Sequence, residues 1–181
     1  AQINWGHSLA AKFYEGWLLN EGGGKNITGL TGIQPGVLIS TGGRWAAGRF
    51  GQSALSFPNA TTEYVNLGTN LNIPFGSSFS VLAWVKLPSG STGHTVIGNK
   101  GGTNSRMMQY GGHDPGNVST AQENIAWIND SGDVSSEVLG RWTSVVCTYN
   151  KASTTSILYV NGTQRSSVSY TFTATYTGTT L

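Results

Sequence analysis

Charge is what this chain has least of. Ten Lys and Arg with eight Asp and Glu make up 10% of 181 residues, against roughly 25% in an ordinary soluble domain. The net charge of +2 is scattered, with no run of Lys or Arg and no arginine-aromatic cluster of the kind that tracks phosphates, which excludes nucleic acid as an expected partner. One cysteine and three histidines exclude an intramolecular disulfide framework and a thiolate zinc site. Cys147 sits in the apolar run VVC and is expected to be a buried structural thiol. No segment approaches the roughly 20 apolar residues of a membrane helix. A basic, then apolar, then small-residue leader is also missing, and Ala1-Gln2 reads as what remains after removal of an initiator Met, so synthesis without export is expected. A cleaved signal peptide would leave the same start.

Glycine is in surplus: 26 residues, or about 14%, is twice the usual share of about 7%. Many turns follow. At this length one domain is expected, able to bury about 70% of its unfolded surface, and no Pro- or Ser-rich linker or internal repeat divides it.

The most informative stretch is Ser78 to Leu87, SFSVLAWVKL. Phe79, Val81, Ala83, Val85 and Leu87 alternate with Ser78, Ser80 and Lys86, the period-two signature of a strand with one face in a core. Leu82 and Trp84 interrupt the polar side, so the strand reads as central, with Trp84 packed under a loop on a partly covered second face.

Taken in order, residues 1–12 read as an irregular arm, and Phe13 to Leu19 as a strand ended by the glycine turns of NEGGGKN. GGGK lacks the spacing and the following Ser or Thr of a phosphate-binding loop. Strands are expected at 36–40, 53–57, 63–67, 94–99, 106–110 and 124–129, with a polar excursion over 111–123 and a turn at NDSGD. Arg141 to Tyr149 alternates Thr143, Val145, Cys147 and Tyr149 against Trp142, Ser144, Val146 and Thr148. Ser156 to Asn161 leads into Asn161-Gly162, the strongest hairpin signal in the chain. No amphipathic helix of ten residues is visible, which points to an all-β sandwich or jelly roll.

WLLNEGGG at 17–24, GRFGQSALSF at 48–57, EYVNLG at 63–68, FSVLAWVKL at 79–87, VIGNK at 96–100, RWTSVVCTYN at 141–150 and LYVNGT at 158–163 resemble, in order and spacing, the laminin-G-like jelly roll of the concanavalin A-like lectin/glucanase superfamily. The resemblance spans residues 13 to 172 and implies two antiparallel sheets packed face to face, an arm over 1–12 and a jelly roll over 13–181. It does not imply one function, since lectins, sugar-binding modules, adhesins, glycosidase accessories and phage virion proteins share it. The family's loop after the LSF strand usually carries an Asp in a metal-binding position. Here Asn59, Thr61 and Glu63 stand in its place, and calcium is the one cofactor the resemblance raises. Members also usually end in an acidic strand that is not seen before Leu181. It is either absent, supplied by a partner chain, or part of a longer product.

Glycoside hydrolysis needs two carboxylates set across the sugar bond, but Glu15, Glu21, Glu63, Asp114, Glu123, Asp130, Asp133 and Glu137 form no such array, so no catalytic residue is expected. GxSxG and HExxH are missing, and His7, His94 and His113 share no fixed spacing. Asn129, Asp130 and Asp133 make a second oxygen-rich turn. A sugar site would use an aromatic platform with amide partners, for which Tyr110, His113, Asn124, Trp127 and Asn129 around the longest loop are the candidates. Trp17, Trp84 and Trp142 read as core. Five Asn-x-Ser/Thr sequons, at Asn26, Asn59, Asn117, Asn129 and Asn161, matter only in a protein secreted from a eukaryote.

The opening INWGH and GWLLNEGGG resemble phage-encoded members of the family. With the uncharged, Gly/Thr/Ser-rich composition this leads to a non-enzymatic virion protein, a capsid decoration or fibre component displaying a lectin-like jelly roll at the virion surface. Its expected partners are other virion proteins or sister subunits, with a possible surface glycan and with neither nucleic acid nor membrane. The alternative is a secreted or cell-surface carbohydrate-binding module or adhesin.

Overall fold

The computed structural model describes residues 4, 6–8, 10–40, 44–57, 63–68, 78–86, 94–98, 106–110, 118–122, 128–130 and 139–169, with backbone only in the strands between 94 and 130. The architecture is all-β and antiparallel, as expected from the turn-rich, strand-spaced sequence. The only helical pieces among the described residues are single 3-10 turns at Ala10–Lys12 and Arg49–Gly51. The chain divides into two compact units, Ala1–Asn70 and Leu71–Leu181.

In the first unit, β1 (Asn26–Ile27), β2 (Gly36–Ile39) and β5 (Tyr64–Asn66) form one sheet in the order β1-β2-β5. Strands β3 (Trp45–Ala47) and β4 (Ser53–Leu55) form a separate hairpin. Ile27, Leu38, Val65 and Leu67 are buried. Gly36 lies between them: a Cβ there would stand 2.6 Å from Val65 Cγ1 and 3.0 Å from Leu67 Cδ2, so the absence of a side chain lets the apolar neighbours close over the strand.

One carboxylate organises the start of this unit. Glu15 Oε1 accepts hydrogen bonds from the Gly16 and Thr31 N–H groups at 2.9 Å each. Its Oε2 accepts from Thr31 Oγ1 at 2.6 Å and from the Gln34 N–H at 2.9 Å. Trp17 Nε1 donates to the Gln34 carbonyl at 2.7 Å, and the backbone of Trp17 bridges Gly29. Trp17 is therefore half-buried and structural, close to the core role expected of it. Residues 13–19 form a single bridge at Trp17 and not the expected strand: within them the carboxylate takes up the Gly16 N–H, and Leu19 sits at φ 53°, outside extended backbone.

The second unit holds two four-stranded sheets. One runs β10-β9-β8-β7, from β7 (His94–Gly98), β8 (Arg106–Tyr110), β9 (Val118–Gln122) and β10 (Ile128–Asp130). The other runs β13-β12-β11-β6, from β6 (Phe79–Lys86), β11 (Trp142–Asn150), β12 (Thr155–Val160) and β13 (Thr163–Ser169). Strands β9 and β10 approach β12 and β13, so the two sheets meet within the unit. Strand β9 lies inside the stretch expected to be a polar excursion. VSTAQ carries little apolar pattern, yet it hydrogen-bonds to a neighbour on each side, and backbone satisfaction does not depend on side-chain hydropathy.

Alternation on β6 and β11 sorts their side chains as the period-two pattern requires. Thr143, Val145, Cys147 and Tyr149 are buried, with Leu158, Val160 and Ser156 beside them on β12. Tyr149 pairs with Phe79, ring centroids 5.7 Å apart. Cys147 is a buried free thiol, as expected. Asn161 (φ 51°) and Gly162 (φ 79°) form the β12–β13 turn with both residues left-handed, the primed geometry that suits the strand twist. Among the described strands β6 pairs with β11 and stands at the end of the order; alternation reports which side faces a core and not how many neighbours flank the strand. Leu82 and Trp84 are 63% and 43% exposed, so the second face is open at Leu82 and partly open at Trp84, which the expectation of a Trp84 packed under a loop did not anticipate.

Burial pushes the Glu15 carboxyl up, and the bonds from Thr31, Gly16 and Gln34 outweigh it, leaving the group below its ordinary value. The folded state therefore gains from ionised Glu15 at all pH above the unfolded glutamate pKa and loses that gain as pH falls through the lower folded value. Glu15→Gln should cost about 1–3 kcal/mol at neutral pH, and the difference in melting temperature from wild type should shrink as the pH is taken down through that window. An equal difference at neutral and acid pH would contradict the role given to the charge.

Candidate functional site

The outward face of the β6 sheet is built by register. Lys86 stands opposite Trp142, Trp84 opposite Ser144, Leu82 opposite Val146, and Ser80 opposite Thr148. Val146 continues to Tyr159 and Thr148 to Ile157, and Tyr159 continues to Gln164. Trp84 and Trp142 are diagonal neighbours on this face, at the roughly 7–8 Å spacing over which aromatic side chains meet. Trp142 is half-buried and Trp84 more open. The Asn161 turn is stitched to this face: Asn161 N–H donates to the Ser144 carbonyl at 2.9 Å, and Ser144 N–H donates to Asn161 Oδ1 at 3.2 Å. The result is an apolar strip with two indoles and a phenol, with Ser144 among them and Lys86, Ser80, Thr148, Asn161 and Gln164 about its rim. Aromatic rings with hydroxyl and amide neighbours can take a molecule that has both an apolar face and a polar edge.

The sequence reading missed this arrangement. It placed Trp84 and Trp142 in the core because a tryptophan in an alternating strand carries no label for its side. The usable signal was position: both indoles fall out of phase with the inward set, Trp84 against the half-buried Val81, Ala83 and Val85, and Trp142 against the buried Thr143, Val145 and Cys147.

Of the residues proposed from sequence as a sugar site, Tyr110 ends β8 opposite Val118 of β9. Asn129 lies on β10, between Ile128 opposite Thr120 and Asp130 opposite Ser119, at a shift in register. The backbone thus brings Tyr110 and Asn129 to one end of one sheet, two strand spacings or about 10 Å apart, with an irregularity of the kind that often re-aims a side chain beside a site. His113, Asn124 and Trp127 lie outside the described residues, as do Asn59 and Thr61 of the proposed metal set. Glu63 is described. Its Oε1 accepts from Ser40 Oγ at 3.0 Å, and its Oε2 is buried with no hydrogen-bond donor.

The three carboxylates with described side chains are each engaged in local structure: Glu15 in its four-bond cluster, Glu21 accepting from Thr28 N–H at 2.7 Å, and Glu63 at Ser40. Among the described residues no three His, Cys, Asp or Glu side chains stand together as a metal-holding group, and no helix is long and apolar enough to cross a membrane.

The family profile described as the concanavalin A-like lectin/glucanases superfamily matches residues 59–181. No curated protein matches the chain. Among solved structures, domain 4 of AbnA, a GH43 extracellular arabinanase from Geobacillus stearothermophilus solved in complex with arabinotriose, aligns with a TM-score of 0.59 at 18% identity, covering 83% of this chain and 74% of that one. An endo-beta-1,3-glucanase from Pyrococcus furiosus aligns with a TM-score of 0.38 at 12% identity, over 84% of this chain and 65% of that one.

Proposed function

This chain belongs to the concanavalin A-like lectin/glucanases superfamily, and from that premise we propose that it is a non-catalytic glycan-binding module. The observation that carries the reading is the outward face of the β6 sheet, where Trp84 and Trp142 lie diagonally on one apolar strip edged by hydroxyl and amide groups. Pyranose and furanose rings are apolar on their C–H faces and polar at their rims, so an indole under the face and amides at the rim bind them without charge. The engagement of Glu15, Glu21 and Glu63 in local hydrogen bonds supports the non-catalytic half of the proposal. The sheet end bearing Tyr110 and Asn129 is the second location proposed for a sugar, favoured by the register shift at Asn129; His113, Asn124 and Trp127 are assigned to it from the sequence alone.

A glycan array with arabino-oligosaccharides among the probes tests the reading. Saturable binding is expected, weakened about tenfold by Trp84→Ala, with the fold kept, as checked by circular dichroism, and only a modest fall in melting temperature, because the indole is 43% exposed. Loss on Trp127→Ala with Trp84→Ala silent would move the site to the β8–β10 end. A blank array would refute the function.

Within the same reading, a calcium ion would be held by Glu63 with oxygens of Asn59 and Thr61, and the support is the buried Glu63 Oε2 left without a donor. One carboxylate supplies only part of the six to eight oxygens calcium takes. Calcium should raise the melting temperature, a chelator should lower it, and Glu63→Gln should abolish the difference. No difference in the wild type removes the site.

Display on a bacteriophage particle, as a decoration or fibre component beside other virion proteins or sister subunits, is the setting we propose for the module. It is supported by the low charge and by the resemblance of the opening INWGH and GWLLNEGGG to phage-encoded members. Mass spectrometry of purified particles should contain the chain in stoichiometric amount. Its confinement to the medium or a cell surface would favour a secreted carbohydrate-binding module or adhesin.

A further inference from the structure

Phe50 sits at the tip of the β3–β4 hairpin, 78% exposed and at φ 60°, ψ 27°. Both facts run against its identity. A phenylalanine contributes to stability by burial, which this one forgoes, and a residue with a Cβ is strained in the left-handed region, where glycine would be at ease. The tip is nonetheless held firmly. Gly48 N–H donates to the Gln52 carbonyl at 2.6 Å, and a Cβ on Gly48 would lie 2.7 Å from the carbonyl oxygens of Gln52 and Ser53. Asn20 Nδ2 donates to Gln52 Oε1 at 3.2 Å, and Trp45 Nε1 donates to the Gly24 carbonyl at 3.0 Å. The hairpin is thus tied to the 20–24 loop at its tip and at its base. Strain kept by surrounding structure, at a residue that does not serve the core, is the pattern of a functional position.

Charge says what would meet it. Between Glu21 and Glu63 the chain carries Lys25, Arg44 and Arg49 and no acid. The fold gathers all three about the hairpin: Arg44 precedes β3, Lys25 follows the carbonyl that Trp45 binds, and Arg49 stands at the tip with its guanidinium carbon 4.1 Å from the Phe50 ring centroid. Glu21 is the one acid on the tied 20–24 loop, with its Oε1 taken up by the Thr28 N–H, and three cations against it leave the hairpin net positive. A ring shields the cation on one side without cancelling its charge. From Arg44 to Arg49 is roughly 15 Å at about 3.3 Å per residue, a spacing that suits an extended polyanion better than a single small anion.

We propose that this hairpin binds an anionic glycan, with the Phe50 ring against a sugar face and Arg49, Arg44 and Lys25 on its carboxylate or sulfate groups. The class of ligand rests on the glycan-binding reading above, and the place does not, since the hairpin lies in the other compact unit from the Trp84 face. A planar guanidinium fork matches carboxylate and sulfate oxygens.

Titrations of the full chain with an oligogalacturonate, a heparin-derived hexasaccharide, a neutral arabino-oligosaccharide and a single-stranded DNA of matched charge test the proposal. The carboxylated or the sulfated oligosaccharide should bind and weaken as salt is raised, and which of the two binds tighter names the anion. Phe50→Gly should weaken that binding about tenfold while holding or raising the melting temperature, because glycine relieves the backbone strain. Arg49→Gln should weaken it comparably and flatten its salt dependence. Neutral-sugar binding at the Trp84 face should survive both substitutions and weaken about tenfold in Trp84→Ala, which separates loss of the hairpin site from loss of the general reading. Anionic-sugar binding indifferent to both hairpin substitutions, no binding of either anionic sugar, or equal binding of the DNA would overturn the proposal.

Discussion

The antiparallel ladder between β6 and β11 is the constraint on which the second unit depends. Eight successive pairs, from Trp142 opposite Lys86 to Tyr149 opposite Phe79, run without a bulge. In a ladder of period two a slip of one residue exchanges the faces. It would bring Leu82 and Trp84 inward and turn Phe79, Val81, Ala83 and Val85 out. The register is therefore held by the burial of one set, with Val145, Cys147 and Tyr149 at 0–2% exposure, and the composition of the other face follows from it. Strand β12 extends the same division, since Leu158 and Val160 fall opposite the buried positions of β11 and Ile157 and Tyr159 opposite the outward ones.

The first unit is held by different means. Its strands are two to four residues long, too short for ladder hydrogen bonds to order the connecting loops. Polar side chains order them instead. Glu15 gathers Gly16, Thr31 and Gln34, Trp17 and Trp45 each donate an indole N–H to a loop carbonyl, and Asn20 reaches Gln52. In a chain with so few charges, a single carboxylate accepting four bonds is a large part of the local electrostatics. Glycine complements this arrangement at Gly36 and Gly48, where a Cβ would collide with packed neighbours.

Both candidate ligand surfaces come from residues that lie outside the fully buried core. Trp84 and Leu82 lie on the face of β6 opposite the inward one, and Phe50 stands on a hairpin tip, 78% exposed. They differ in chemistry as well as place. The Trp84 face is apolar with hydroxyl and amide neighbours and one lysine, Lys86, at its rim, suited to neutral sugars, whereas the hairpin couples an aromatic ring to three cations. A lectin-like sandwich offers such variety because its strands are committed to packing and its loops and outward faces are not.

The sequence by itself determined the all-β class, the alternation of β6, β11 and β12, the Asn161-Gly162 turn and the burial of Cys147. These follow from local rules: period two places side chains on alternate faces, and a left-handed turn needs residues that tolerate it. The tertiary structure alone decided what depends on contacts distant in the chain. It set β6 at the end of the described strand order and opened Trp84 to solvent. It drew Glu15 to Thr31 and Gln34 in place of a strand, and gave the weakly patterned β9 a partner on each side. It also folded three cations, scattered when read in line, around one hairpin. Hydropathy along a chain records which residues must leave water. Which neighbours cover them, and which faces are left for a ligand, is decided only when strands far apart in sequence meet.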